Sequence, residues 1–318
     1  MIRIPIKEHF KKSLKQKIKD TIFLLKHSFV LLGKNKEIKK PIIYMIFLSI
    51  FIISLIFGAV LNFIEKHMGL GMIFLFLSFI LIFFAFFYNT RQKANLCWLV
   101  YAILRGKTAT YKEANRRTKK LKAQLRFIAF VNILMTYVGG CRSGKRGIGG
   151  FLMNLFLRGI IEIWDLVSHY ILPATVIEQK HFKELLPKLK ALRNNVPATL
   201  MGVFGIDFVG DVVGVLLVPI YLFLFVISVG IGYLVSPKTP GTVITVFGFS
   251  FSWVPVFIML YIALIIGEAI KKLIASIKVI YFTIFYTSIT RPNVIIPNIR
   301  RDITNYLLME EIHSEKGS

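Results

Sequence analysis

Arg158, Glu162, Asp165 and His169 follow one another at steps of four, three and four, which on a helix places all four on one face. An arginine, two carboxylates and an imidazole that titrates near neutral pH are the parts of a proton or ion relay. The segment that holds them, 151–172, is otherwise apolar. A charge at mid-bilayer costs about 2.5–3.5 kcal/mol on insertion scales, so the stripe must face a bundle interior, a watery cavity or the interface. A structural alternative stands beside the relay. In it Arg158 and Glu162 form an i, i+4 ion pair, and Asp165 and His169 lie near the interface with Trp164 and Tyr170. Asp207 and Asp211 make a second i, i+4 pair, among Gly202, Gly205, Gly210 and Gly214. They suit a bound cation or a pairing with Arg158, or else the polar face of an interfacial segment whose glycines allow close helix packing.

No catalytic set assembles. The histidines share no H-x-x-x-H spacing and there is no C-x-x-C for zinc. The string "GGCRSGK" (139–145) matches a phosphate-binding loop by letter, but an apolar span precedes it and Arg146, not Ser or Thr, follows the lysine. No G-x-S-x-G elbow or dinucleotide turn occurs. The expectation is a chain that is not an enzyme and carries neither metal nor cofactor.

The elements that would position these residues are membrane helices. Hydrophobic residues make up 55% of the 318-residue chain, with 29 Phe, more apolar surface than a soluble domain of this size can hide. Formal net charge is +25, from 41 Lys+Arg against 16 Asp+Glu. The basic residues crowd beside apolar spans, which points to anionic membrane lipids as partners and away from nucleic acid. Cys97 and Cys141 are expected at opposite membrane faces, so no disulfide framework is predicted.

Residues 5–32 carry apolar side chains at steps of three and four, with Lys7, Lys11, Lys12, Lys15 and Lys19 on the other face. That pattern predicts an amphipathic basic helix in the headgroup region, or one packed on the cytoplasmic ends of the bundle. A first span is expected from Pro41 to about Phe63, then a tight turn, then a second span from Leu70 to Tyr88 whose helix continues to Leu104. Gly106 marks a stop, and Thr110 with Glu113 fits a capping box for a basic helix over 111–122. Further spans are expected near 125–138, 151–172, within 198–235 and over 242–267, with a polar-apolar helix from Glu268 to Thr290.

The run 198–235 is long enough for one span or a hairpin of two. Lys/Arg asymmetry favours one, since a hairpin would put the basic C-terminal region outside. The prediction is an all-α, polytopic membrane helix bundle of about six transmembrane helices with amphipathic interfacial helices. Its parts are a basic N-terminal segment (1–40), the bundle (41–290) and a tail (291–318). Both termini are expected on the cytoplasmic side of a cytoplasmic (inner) membrane.

Four short segments also resemble an uncharacterised family of prokaryotic multi-pass membrane proteins, a domain of unknown function. They are "SFVLLGKNKEIKKPII" (28–43), "ILRGKTATYKEA" (103–114), "WDLVSHYILPATVIE" (164–178) and "IYFTIFYTSITRP" (280–292). The Lys-rich N-terminus and the charges on 151–172 depart from that family's pattern. A remoter likeness to choline-transporter-like proteins runs through "RNNVPATLMGVFGIDFVGD" (193–211). The resemblance implies the same topology and no activity. The favoured function is a pathway for an ion or small solute through the two charged clusters, and the alternative is a non-catalytic scaffold, assembly or lipid-organising protein. A homo-oligomer or another membrane protein is the expected protein partner.

Overall fold

The computed structural model describes residues 36–140, 170–179, 184, 196–235, 242–246 and 248–297, and the chain is nearly all helical over them. The order is α1 (Lys36–Ile64), α2 (Met68–Leu104), α3 (Tyr111–Lys120), α4 (Lys122–Gly140), α5 (Val196–Val235), β1 (Val243–Val246), β2 (Phe249–Ser252) and α6 (Val254–Thr290). A helical stretch at 170–178 lies between α4 and α5, and a 3₁₀ turn, Pro292–Val294, follows α6.

Among the described residues four helices are long and apolar enough to cross a membrane: Lys36–Ile64, Met68–Leu104, Gly210–Val235 and Val254–Ser288. The expected span at 125–138 falls on α4, which is not one of the four, and 151–172 lies outside the described residues apart from 170–172. The 198–235 run is one unbroken helix even through Pro219, with no hairpin of two spans. Pro173 lies inside the 170–178 helix, so the chain stays helical past the expected end of the 151–172 span. The expected span from Thr242 begins later, because 243–252 folds instead into the antiparallel hairpin β1–β2. Its pairing puts Ile244 and Phe251 on one face, and Val243, Thr245, Ser250 and Ser252 on the other. Gly248 at φ +83° supplies the turn.

Local signals set the helix ends. Thr110 accepts from the Glu113 N–H while Glu113 accepts from the Thr110 N–H at 3.0 Å, the predicted capping box. At the end of α2 Gly106 adopts φ +71°, with Gly106 N–H donating to the Ile103 carbonyl and Lys107 N–H to that of Ala102. That is a Schellman closure, and a Cβ at Gly106 would press on Ile296 as well as strain the backbone. Lys66 closes α1 in the same way at φ +64°, with no glycine to ease it.

The chain divides into two compact units. Unit 2 comprises Ile46–Ala85 and Asp207–Ile274, and unit 1 comprises Met1–Met45, Phe86–Ile206 and Ala275–Ser318. In unit 2 large apolar side chains such as Phe76, Phe79, Leu222 and Phe223 stand exposed. Its helices meet at few points. Phe57 packs on Phe257 and Tyr261, and the Ser54 and Tyr261 hydroxyls lie 2.7 Å apart. Gly232 leaves room for the Ser252 carbonyl, where any Cβ would collide.

Unit 1 has the opposite character. Leu96, Leu99, Leu104, Ile171, Ile280, Phe282 and Phe285 form a closed core, with Gln92, Asn95, Thr118, Thr283 and Thr287 buried among them. Polar side chains join α2 to α3 in a ladder. Arg91 donates to Asn115 at 2.8 Å, Tyr111 Oη to Gln92 at 3.0 Å, Asn95 to Gln92 at 3.2 Å, and Thr118 Oγ1 to Asn95. Glu37 in the first turn of α1 accepts from the Tyr111 N–H at 2.7 Å, one of the unpaired donors of the α3 start.

Candidate functional site

The residues picked out by their intrahelical spacing are placed unevenly. Arg158, Glu162, Asp165 and His169 lie outside the described residues, as do Lys7, Lys11, Lys12, Lys15 and Lys19. Asp207 belongs to α5, and Asp211 one turn on is exposed there. Next to it a Cβ at Gly210 would touch Ile274 of α6, whereas Gly214 faces open space, so of the two glycines only Gly210 serves close packing. Among the described residues no cluster of His, Cys, Asp and Glu could hold a metal.

Charge and aromatic surface instead converge within unit 1, at the ends of helices. Trp98, Tyr101 and Arg105 recur at steps of three and four and share one face of the last turns of α2. Arg117 comes from the last turn of α3, and Arg291 follows the final residue of α6. Three arginines thus sit at three helix C-termini, where the negative end of the helix dipole offsets part of their mutual repulsion.

Glu178, from the end of the 170–178 helix, is the acid that meets them. Its side chain is only 4% exposed against 36% for Arg291. Arg291 Nη2 donates to Oε2 at 2.9 Å and Nε to Oε1 at 3.2 Å, a two-point fork that a lysine could not reproduce. The third arm, Nη1, donates to the Tyr101 hydroxyl at 3.1 Å, and the Tyr286 hydroxyl approaches Glu178 at 3.5 Å. Each nitrogen of Arg291 thus donates one hydrogen bond, and the one to Glu178 is the main reason it is held above its ordinary pKa.

Arg105 and Arg117 are held differently. The Arg105 guanidinium lies 5.6 Å from the centre of the Tyr101 ring and that of Arg117 3.7 Å from the Trp98 ring, with the two rings 5.5 Å apart. Attraction of a cation to a ring face fixes each group while leaving its N–H edge unused. Among the described residues no carboxylate pairs with either, and Arg117 Nε is buried without an acceptor. Burial lowers Arg117 below its ordinary pKa. Tyr101 opposes that shift, and the charges of Arg105 and Arg291 add to it.

Spacing within a single helix could not find this cluster, because its members come from four separate segments. No protein-family model matches the chain, and no curated protein and no solved structure is similar to it.

Proposed function

We propose that this protein is a non-catalytic component of a cytoplasmic membrane, which holds a basic helical unit at the cytoplasmic face. Anionic lipids and membrane proteins, a second copy included, are its partners in this reading. The observation that carries it is the agreement between the division of the chain and its charge. Unit 2 consists of two segments, 46–85 and 207–274, each bearing two apolar helices. A segment that crosses and returns leaves its ends on one side, so Met45, Phe86, Ile206 and Ala275, which flank the two segments, share a side. Of the 41 basic residues only Lys66 and Lys238 fall in the two turns assigned outside, and an excess of Lys/Arg marks the cytoplasm.

Six crossings would leave those flanking residues on the same side, because 125–138 and 151–172 enter as a pair, with the Gly-rich 139–150 and its three basic residues between them outside. Lys7, Lys11, Lys12, Lys15 and Lys19 then lie at the anionic inner leaflet. The uncharacterised multi-pass family that the chain resembles belongs to the same reading.

An ion or solute pathway is the second reading, and Asp211 is the observation in its favour. It is a carboxylate on a helix long and apolar enough to span, and an intramembrane acid is a functional candidate by default. Arg158, Glu162, Asp165, His169 and Asp207 would complete that path.

Two experiments separate the readings. With both native cysteines replaced by serine, Lys66→Cys and Lys238→Cys should react with an impermeant maleimide from outside, and Lys112→Cys only after permeabilisation. Labelling of position 112 in intact cells would overturn the topology. Reconstituted protein should pass no ion or solute in a way that depends on Asp165, His169 or Asp211. Flux abolished by Asp211→Asn or Asp165→Asn would replace the scaffold by the pathway.

A further inference from the structure

We propose that Arg105 and Arg117, held on the faces of Tyr101 and Trp98, form a binding site for a phosphate group, carried by a lipid headgroup or by a small soluble phosphate. Three guanidinium groups gather here against one carboxylate, and Glu178 is already engaged on two atoms by Arg291. The excess positive charge therefore belongs to the other two arginines. Their planar forks match the oxygens of a tetrahedral phosphate better than an ammonium would. The rings beneath hold the guanidinium planes by their faces, so the N–H edges remain available to a ligand.

Arg117 Nε is a buried donor with no acceptor in the described residues, an arrangement that a bound oxygen would relieve. Arg105 is exposed, so the site has an open side. The Schellman turn at Gly106, pinned by Ile296 N–H donating to the Leu104 carbonyl at 3.0 Å, fixes the backbone from which Arg105 projects. The surroundings are basic as well, with Lys107, Lys112, Arg116, Lys119 and Lys120 all exposed nearby in sequence. Such a field concentrates anions without selecting among them, and selection falls to the two forked side chains. The lipid form of the ligand rests on the topology proposed above, whereas the soluble form does not.

The test uses the full chain in nanodiscs, with Trp164→Phe and Trp253→Phe so that Trp98 alone reports. In discs of phosphatidylcholine, inorganic phosphate is titrated at constant ionic strength. In a second series phosphatidylglycerol replaces part of the neutral lipid. A saturable change in Trp98 emission with inorganic phosphate assigns the site to soluble phosphates. A change confined to phosphatidylglycerol assigns it to the headgroup. Arg105→Gln, an exposed position whose loss leaves the core intact, should weaken the response at least about tenfold, as loss of one charge-assisted contact implies. Arg117→Gln should do the same, while Lys112→Gln leaves it unchanged. The proposal is overturned if neither series saturates, if chloride reproduces the change, or if Lys112→Gln weakens it as much as Arg105→Gln does. Inverted sidedness in the labelling experiment would leave the inorganic phosphate series intact, so the two failures are distinguishable.

Discussion

The two units differ in their cross-helix polar contacts rather than in hydroxyls turned back on their own helices, which occur in both, at Ser78 and Ser228 in unit 2 and at Thr283, Thr287, Ser288 and Thr290 in unit 1. In unit 2 Ser78 and Ser228 turn back on carbonyls of their own helices, Leu75 at 2.7 Å and Phe225 at 2.7 Å, and Ser54 does so while also meeting Tyr261. In unit 1 Thr118, Asn95, Gln92 and Tyr111 reach one another across helices, and Tyr101, Tyr286, Arg291 and Glu178 join three segments. Large apolar side chains stand exposed along the helices of unit 2, whereas unit 1 encloses a core and exposes such side chains mainly on α4, at Phe127, Phe130, Leu134 and Tyr137. A helix surrounded by hydrocarbon gains nothing from hiding its leucines and must satisfy polar atoms within itself. A helix in a water-facing unit gains from enclosing apolar surface, and it can bury polar groups if they find partners. In the reading proposed above, the exposed apolar surface of unit 2 is that of helices facing lipid.

The largest test of that contrast is Phe79→Asp. Phe79 is 72% exposed, near the middle of the apolar part of α2. Facing lipid, the substitution should cost about 3 kcal/mol and reduce membrane insertion, whereas on a water-facing surface it would be nearly neutral. Insertion measured by a glycosylation reporter, unchanged by this substitution, would break the assignment of unit 2 to the bilayer.

Glu178→Ala comes next, because it leaves Arg291 without its carboxylate. Breaking a buried pair costs about 3–5 kcal/mol, and the partial exposure of Arg291 brings the expectation to about 2–3 kcal/mol. Denaturation followed by a probe in unit 1 should register it, and Glu178→Ala with Arg291→Met together should recover much of the loss. Gly232→Ala should cost about 1–3 kcal/mol, since its methyl would meet the backbone carbonyl of Ser252 rather than a side chain able to turn away. A larger alanine cost at Gly214, which has nothing near it, would contradict that packing. Smallest is Tyr261→Phe, which removes the hydrogen bond to Ser54. Such bonds average about 0.6 kcal/mol within membranes, so thermal unfolding should scarcely move. A cost above about 2 kcal/mol would mean that unit 2 relies on polar pairing as unit 1 does.

The β1–β2 hairpin shows why an apolar run misleads. Residues 242–253 have no charge and join an apolar helix, so hydropathy alone extends the span through them. After Gly248 the residues Phe249, Ser250, Phe251 and Ser252 nevertheless alternate apolar and polar, and a period of two belongs to strands. The predicted relay at 158–169 drew on spacing inside one helix, the kind of relation a sequence displays directly. The arginine cluster has no such spacing. Glu178 and Arg291 are 113 residues apart, and nothing periodic links them.

Much of this protein was decided by local chemistry and is legible without a structure. Length and hydropathy set the apolar helices, Gly106 the end of α2, and Thr110 with Glu113 the start of α3, because each depends on residues within about one turn of one another. Charge placement along the chain argued against a hairpin over 198–235, and that run is one helix. Tertiary structure alone decided which half of α2 stands exposed and which half is enclosed, since Phe79 and Leu96 are equally apolar and differ only in what surrounds them. It alone also brought Trp98, Tyr101, Arg105, Arg117, Glu178 and Arg291 together. Hydropathy records how a residue partitions between water and oil, and it carries no information about which distant residue will be its neighbour.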